Sequence, residues 1–186
     1  MDLDGTIVDS FASVKAAIVK TLRRLACPVP PGLDDVQEVG QLLPVAVKSL
    51  PPSVSFSRFK QEYDSVLREE PLAGVSVPED IPTLLARLKE KHDLVVLTNK
   101  RQEVAEAICQ ALFPAGTFQH VIGRISTVPL KPDGPIAEEL RQRDIPLYAV
   151  GRRGSRTVRL LIGDSDEDRK TALRLGVEFM DVRKIK

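Results

Sequence analysis

Met1-Asp2-Leu3-Asp4-Gly5-Thr6-Ile7-Val8-Asp9-Ser10 opens the chain. Asp2 and Asp4 stand two apart, so on an extended segment both carboxylates project to the same side. Gly5 supplies a residue that turns with positive φ, and Thr6 follows with a hydroxyl. Two carboxylates held side by side repel, and such a pair is stabilised by a cation between them or by a shared proton. The run therefore marks a candidate Mg²⁺ site with an aspartate nucleophile beside it. The bland alternative is an acidic turn near a terminus.

Working outward, Phe11, Val14, Ile18, Leu22 and Leu25 recur at spacings of three and four, which predicts an amphipathic helix to about Ala26 behind the capping pair Asp9-Ser10. Cys27-Pro28-Val29-Pro30-Pro31-Gly32 breaks it. A helical piece from about Leu33 ends at Pro44, a third short one ends at Leu50, and Phe56, Phe59, Tyr63, Val66 and Leu67 form another helical stripe closed by Pro71. Residues 11–75 thus read as an all-helical block.

Beyond it the pattern changes. Ile81, Leu84, Leu85 and Leu88 share a helix face, and Leu94-Val95-Val96-Leu97 is a continuous apolar run that suits a strand buried on both faces of a parallel sheet. A helix with Val104, Ala105, Ile108 and Leu112 follows, then a weaker strand over Phe118 to Ile122 and a short helix over Ile136 to Arg143. Leu160-Leu161-Ile162 is a second apolar strand, Asp166 caps a helix through Leu175, and Val177 to Val182 makes a last strand. Alternating strands and helices imply an α/β Rossmann-like parallel sheet core. The Arg/Gly-rich segment 148–159 fits no element and reads as a solvated loop.

Composition excludes several classes. Among 186 residues, 42% hydrophobic and 28% charged content is that of an ordinary soluble globular protein. Lys plus Arg number 27 and Asp plus Glu 26, a net charge of +1, which gives no electrostatic case for nucleic acid or an anionic membrane. Apolar runs are too short for a membrane span, and no basic region leads into an apolar stretch at the N-terminus. Cys27 and Cys109 have no C-x-x-C partner and read as reduced, buried small residues. A cytoplasmic protein, monomer or homodimer, is the expectation.

In open α/β sheets ligands sit beyond the carboxyl ends of the strands. There the chain carries Asp2 and Asp4, then Thr98-Asn99-Lys100, then Gly163-Asp164-Ser165-Asp166-Glu167-Asp168, with Lys131-Pro132 between the last two. A phosphate ester gives each group a task. One aspartate attacks phosphorus while the other protonates the leaving oxygen and then activates water. A Thr hydroxyl and backbone N–H groups hold the phosphoryl oxygens, a Lys supplies fixed positive charge, and Asp164 completes a metal's oxygen ligands with Asp168 as ligand or anchor. Taken singly, Thr98-Asn99 is a plain N-cap, Lys131-Pro132 a loop and Gly-Asp-Ser a turn; their order makes coincidence improbable.

These four stretches resemble the four motifs of the haloacid dehalogenase superfamily of phosphotransferases, over nearly the whole chain, and are similar to its phosphoglycolate phosphatase-like branch. The resemblance implies a core from residues 1–10 and 76–186, with residues 11–75 as an inserted all-helical cap. It implies Asp2 as nucleophile, Asp4 as general acid/base, Thr98 and Asn99 as phosphoryl binders, Lys131 as the stabilising lysine, and Asp164 and Asp168 as the acidic metal pair. Mg²⁺ would meet Asp2 through its side chain and Asp4 through its backbone carbonyl. Asp4 argues against the dehalogenases, which lack the second aspartate. The implied substrate is a small phosphorylated metabolite resembling phosphoglycolate; a phosphomutase of the same fold and a non-catalytic phospho-ligand or protein binder are the alternatives. Such proteins normally run an apolar strand into the nucleophile, and the sequence here starts one residue before Asp2, so the expectation is that this strand is missing from it.

Overall fold

A computed structural model describes residues 1–125, 130–143, 145 and 160–185. The segment 148–159 lies outside the described residues. Along the chain run α1 (Phe11–Arg24), α2 (Val39–Lys48), α3 (Phe56–Glu69), α4 (Ile81–Lys89), β1 (Val95–Arg101), α5 (Gln102–Leu112), β2 (His120–Arg124), α6 (Ile136–Gln142), β3 (Leu160–Gly163), α7 (Asp166–Leu175) and β4 (Glu178–Asp181). β1 pairs with β2 and β3 with β4, both in parallel, with Leu97 opposite Ile122 and Ile162 opposite Met180. The first residues of the chain join these two pairs. Met1 N donates to Val95 O at 2.6 Å, Leu97 N to Met1 O at 2.8 Å, and Asp2 N to Ile162 O at 2.8 Å. Residues 1–3 therefore lie between β1 and β3, and Asp2 stands at the middle of the sheet's carboxyl edge.

Strand side chains alternate between two apolar clusters, as strands buried on both faces require. Val96 and Ile162 pack with Leu3, Ile81 and Ile108 on one face, whereas Leu97 and Leu161 pack with Ile136, Leu140, Ala172 and Leu175 on the other. Helices α4 and α5 thus cover one side of the sheet, α6 and α7 the other. The first cluster continues into the helical block through Val14, Ile18, Leu22, Leu42 and Phe59. Burial of each such side chain contributes roughly 1.5–3 kcal/mol. At the two ends of the helical block, Asp9 and Ser76 exchange two backbone hydrogen bonds of 2.8 and 3.0 Å.

Local details depart from the sequence expectation in three places. Pro44 lies inside α2 rather than ending a helix. Proline removes its own N–H and crowds the carbonyl four residues back; here that residue is Gly40, and both are exposed, so water takes the freed carbonyl. The stretch before α2 is a single 3₁₀ turn, Pro31–Leu33, not a longer helix. Ser165, not Asp166, caps α7: its Oγ accepts from Asp168 N at 3.2 Å and its N–H donates to Asp168 Oδ2 at 3.3 Å, a reciprocal capping box. At α1 the working cap is Asp9, whose Oδ1 accepts from Phe11 N at 3.0 Å, while the Ser10 hydroxyl is buried without a partner among the described residues.

Candidate active site

The turn after Asp4 is built on Leu3 and Gly5. Leu3 O accepts from the N–H groups of Thr6, Ile7 and Val8, and Gly5 N–H donates to Val8 O at 2.9 Å. Gly5 has φ +75°, and a Cβ there would lie 2.5 Å from Asp164 Oδ2. Only glycine permits both the left-handed backbone and the close approach of that carboxylate. Thr6 turns inward, and its Oγ1 donates to Asp164 Oδ1 at 2.9 Å. The first turn and the loop after β3 are thus locked together.

Asp2, Asp164 and Asp168 each offer an oxygen, all within 4.8 Å of one another. Lys131 enters this group from the loop before α6. Its Nζ donates to Asp2 Oδ1 at 2.7 Å and to Asp168 Oδ1 at 2.5 Å. The other oxygen of Asp168 is held by Ser165, so both are occupied by protein donors. Asp2 Oδ2 accepts no hydrogen bond among the described residues. Burial, together with the Asp168 and Asp4 carboxylates, pushes the Asp2 acid above its ordinary range against the opposing pull of Lys131. Lys131 is fully buried yet held charged by its two carboxylate partners, its pKa raised. Burial also raises Asp164, against the Thr6 hydrogen bond.

Asn99 grips Lys131 by its main chain. Asn99 Nδ2 donates to Lys131 O at 2.9 Å, and Asn99 Oδ1 accepts from Lys131 N at 2.7 Å. Thr98 is buried, and its Oγ1 accepts from Lys100 N at 3.2 Å, which leaves its O–H to donate into the site. Lys100 Nζ is buried 3.0 Å from Asp4 Oδ1. Its direction is off the line a hydrogen bond needs, and among the described residues that buried oxygen accepts none.

All seven site residues expected from sequence, Asp2, Asp4, Thr98, Asn99, Lys131, Asp164 and Asp168, converge at one edge of the sheet. Asp2, Asp4, Thr98, Asn99, Lys131 and Asp164 line a single cavity of about 270 Å³. Its opposite wall comes from the helical block, with Val14, Val39, Leu43, Tyr63 and Leu67. Sequence reading missed Lys60 and Asp64 of α3, Lys100 of β1 and Arg124 of β2, which line the same cavity. A signal existed for three of them. Lys60 and Asp64 are one turn apart inside an otherwise apolar stripe, a placement a surface charge pair would avoid. Lys100 stands two after Thr98 and so shares its side of the strand.

The acidic set is made of hard oxygen donors, which fits a small divalent cation. Among the described residues no helix is long and apolar enough to cross a membrane, and both cysteines are free and buried.

The family profile of haloacid dehalogenase-like hydrolases matches residues 1–182. The chain belongs to that family and is a hydrolase of it. Within it the chain is phosphoglycolate phosphatase-like. It is 29% identical over 185 residues to a phosphoglycolate phosphatase of Aquifex aeolicus, covering 95% of this chain and 80% of that protein. It is 33% identical over 193 residues to the phosphoglycolate phosphatase of Caulobacter vibrioides, covering 95% and 74%. In fold it is similar to a haloacid dehalogenase-like hydrolase of Streptococcus pneumoniae, with TM-score 0.71 and 21% identity over 96% of this chain and 80% of that one.

Proposed function

We propose that this protein is a cytoplasmic, Mg²⁺-dependent phosphatase that hydrolyses a small, phosphoglycolate-like phosphate monoester through an aspartyl-phosphate on Asp2. One observation carries the reading: Lys131 bridges Asp2 and Asp168 at 2.7 and 2.5 Å beside Asp164 and Asp4, in a cavity of only about 270 Å³. A lysine locked against a nucleophile and an anchoring carboxylate is arranged for a phosphoryl group.

Asp2 attacks phosphorus through Oδ2, the oxygen that Lys131 leaves free. As the new O–P bond forms, the bond to the leaving oxygen breaks, and protonated Asp4 gives that oxygen its proton. Asp4 lines the cavity beside Asp2, within reach of a leaving oxygen there, which supports that role. Asp4, now a carboxylate beside Lys100, takes a proton from water, which attacks phosphorus, releases phosphate and restores Asp2. Thr98 donates its hydroxyl hydrogen to a phosphoryl oxygen, and Lys131 neutralises charge that develops on another. Asn99 acts by fixing the Lys131 main chain, and Asp168 by fixing its ammonium. Asp2, Asp164 and the Asp4 carbonyl would hold Mg²⁺, which when bound offsets the negative charge crowded on carboxylate and phosphoryl oxygens. Residues 11–75 serve as the cap, and the backbone bridge between Asp9 and Ser76 supports a crossing point between cap and core.

The test is hydrolysis of p-nitrophenyl phosphate and 2-phosphoglycolate with and without Mg²⁺. Turnover that requires Mg²⁺ and disappears in Asp2→Asn is expected. Folded protein inert toward both esters, or turnover that survives Asp2→Asn, overturns the reading.

A further inference from the structure

Helix α3 buries two opposite charges on its apolar side. Phe59, Tyr63, Val66 and Leu67 are buried there, and Lys60 and Asp64 are buried with them. Arg124, at the end of β2, donates through Nη2 to both oxygens of Asp64 at 2.8 and 2.9 Å. Arg124 Nε also donates to Asn99 O at 3.1 Å, so this cation ties α3 to the strand end that carries Thr98. The Asp64 carboxylate is therefore already matched by one cation.

Lys60 is the second cation on that single anion. Its Nζ donates to Asp64 Oδ1 at 2.7 Å and lies 4.7 Å from the centre of the Tyr63 ring. An ammonium has three donors; one meets Asp64, and no described residue accepts either of the other two. The Lys60 side chain is only 11% exposed and lines the cavity, so its two remaining donors are open to a ligand there. Buried charge is costly unless protein, water or a ligand completes its hydrogen bonds. Lys60 lines the cavity that also holds Asp2, Asp4 and Thr98.

Lys60 is a cation with two donors that no described residue accepts, so the group it takes is an anion. A second phosphate would bring close to two negative charges against the single ammonium of Lys60, whereas a carboxylate brings one.

We propose that Lys60 is a specificity-determining residue whose ammonium binds a carboxylate on the alcohol part of the phosphate ester, with the Asp64–Arg124 pair holding α3 so that this ammonium faces the reacting group. The inference rests on the phosphatase reading of the same cavity and sharpens its substrate class to short phosphorylated hydroxy acids. Burial and the charges of Arg124 and Lys100 lower the Lys60 pKa to about 8 against the opposing pull of Asp64, so the group is still mostly charged at neutral pH.

The experiment compares kcat/KM for 2-phosphoglycolate and for ethyl phosphate, which has the same reacting group without the carboxylate. Loss of a charge-assisted hydrogen bond in Lys60→Met lowers the ratio of the two values about 10- to 100-fold, mainly through KM for phosphoglycolate. Lys60→Arg restores part of it. Lys60→Met leaves Asp64 paired with Arg124, and Lys60→Gln serves where the methionine variant does not fold. A ratio unchanged in the folded variant overturns the proposal. A parallel calorimetric titration of 2-phosphoglycolate into Asp2→Asn, with and without Lys60→Met, needs no turnover. Weakening by a similar factor supports the proposal; binding indifferent to Lys60, or no binding, overturns it. Failure of the phosphatase reading shows instead as an inert wild type toward both esters.

Discussion

Asn99 brackets the backbone of Lys131, donating to its carbonyl at 2.9 Å and accepting from its N–H at 2.7 Å. The two residues are 32 apart in sequence, one on β1 and one in the loop before α6. The side chain that follows Thr98 thereby sets where the lysine ammonium stands. Replacing it should misplace charge without removing any. Asn99→Ala is expected to lower kcat about 10- to 100-fold, the range seen when a supporting hydrogen bond behind an active group is lost. Removing the amide also leaves two backbone groups of Lys131 unmet, which costs about 1–3 kcal/mol each where water cannot reach them. Steady-state kinetics with thermal unfolding check both. An Asn99→Ala protein with unaltered kcat would show that the bracket does not position Lys131.

Gly5 is the point where the first turn meets the loop after β3. Alanine there must adopt φ +75° and place a Cβ 2.5 Å from Asp164 Oδ2. The backbone strain costs on the order of 1–3 kcal/mol, and Asp164 must move away from Asp2. Gly5→Ala is expected to lose at least about 100-fold in kcat/KM, the scale of a 1 Å misplacement in an active site. The control Gly32→Ala, in open space on an exposed turn, should leave activity unchanged.

Lys60 sets a pH dependence whose sign follows from its lowered pKa, about 8 against an ordinary 10.5. The ammonium is charged below about 8 and neutral above it, so preference for 2-phosphoglycolate over ethyl phosphate should be present at pH 6.5–7, on the acid side of that value, and fall as pH rises through it. Because the folded protein holds this proton less tightly than the unfolded chain, the same shift adds stability between about 8 and 10.5. The ratio of kcat/KM values across that window, in wild type and Lys60→Met, checks the prediction. A wild-type ratio flat with pH would contradict it.

The crowded carboxylates predict a metal response that can be read without catalysis. Asp2 and Asp164 are both pushed upward in pKa, chiefly by burial, so a bound cation relieves an unfavourable arrangement. Mg²⁺ at about a hundred times its Kd should stabilise by about 2.7 kcal/mol. For a chain of this size that is about 5–10 °C in Tm. Asp164→Asn should abolish the rise. Equal stabilisation of wild type and Asp164→Asn would place the cation elsewhere.

Much of this organisation was legible in the sequence. Val96 and Ile162 on one cluster and Leu97 and Leu161 on the other are what continuous apolar runs in a parallel sheet imply, and the polar groups that follow them fall where such sheets bind ligands. Spacing says which residues reach the carboxyl edge; it does not say what each will touch once there. Asn99 on the Lys131 main chain, Lys100 on Asp4 and Arg124 on Asp64 are long-range pairings decided by tertiary packing. Lys60 and Asp64 were easily passed over despite their place in the stripe: their neighbours Phe59, Tyr63 and Val66 carry the helical period, and two polar residues on the same face do not disturb it. Pro44 misled because a breaker is harmless where the carbonyl it frees faces water.

The most direct test of the account is to trap the covalent intermediate. Asp4→Asn protein is mixed with p-nitrophenyl phosphate, whose leaving group needs no proton from Asp4, and Mg²⁺, quenched, reduced with borohydride and sequenced by mass spectrometry. An acyl phosphate on Asp2 is reduced to homoserine at position 2, whereas a free carboxylate is untouched. Homoserine at position 2, dependent on substrate and Mg²⁺, is the predicted result. Its absence from a variant that binds substrate, or its appearance at Asp164 or Asp168 instead, would contradict the assignment of Asp2 as the nucleophile.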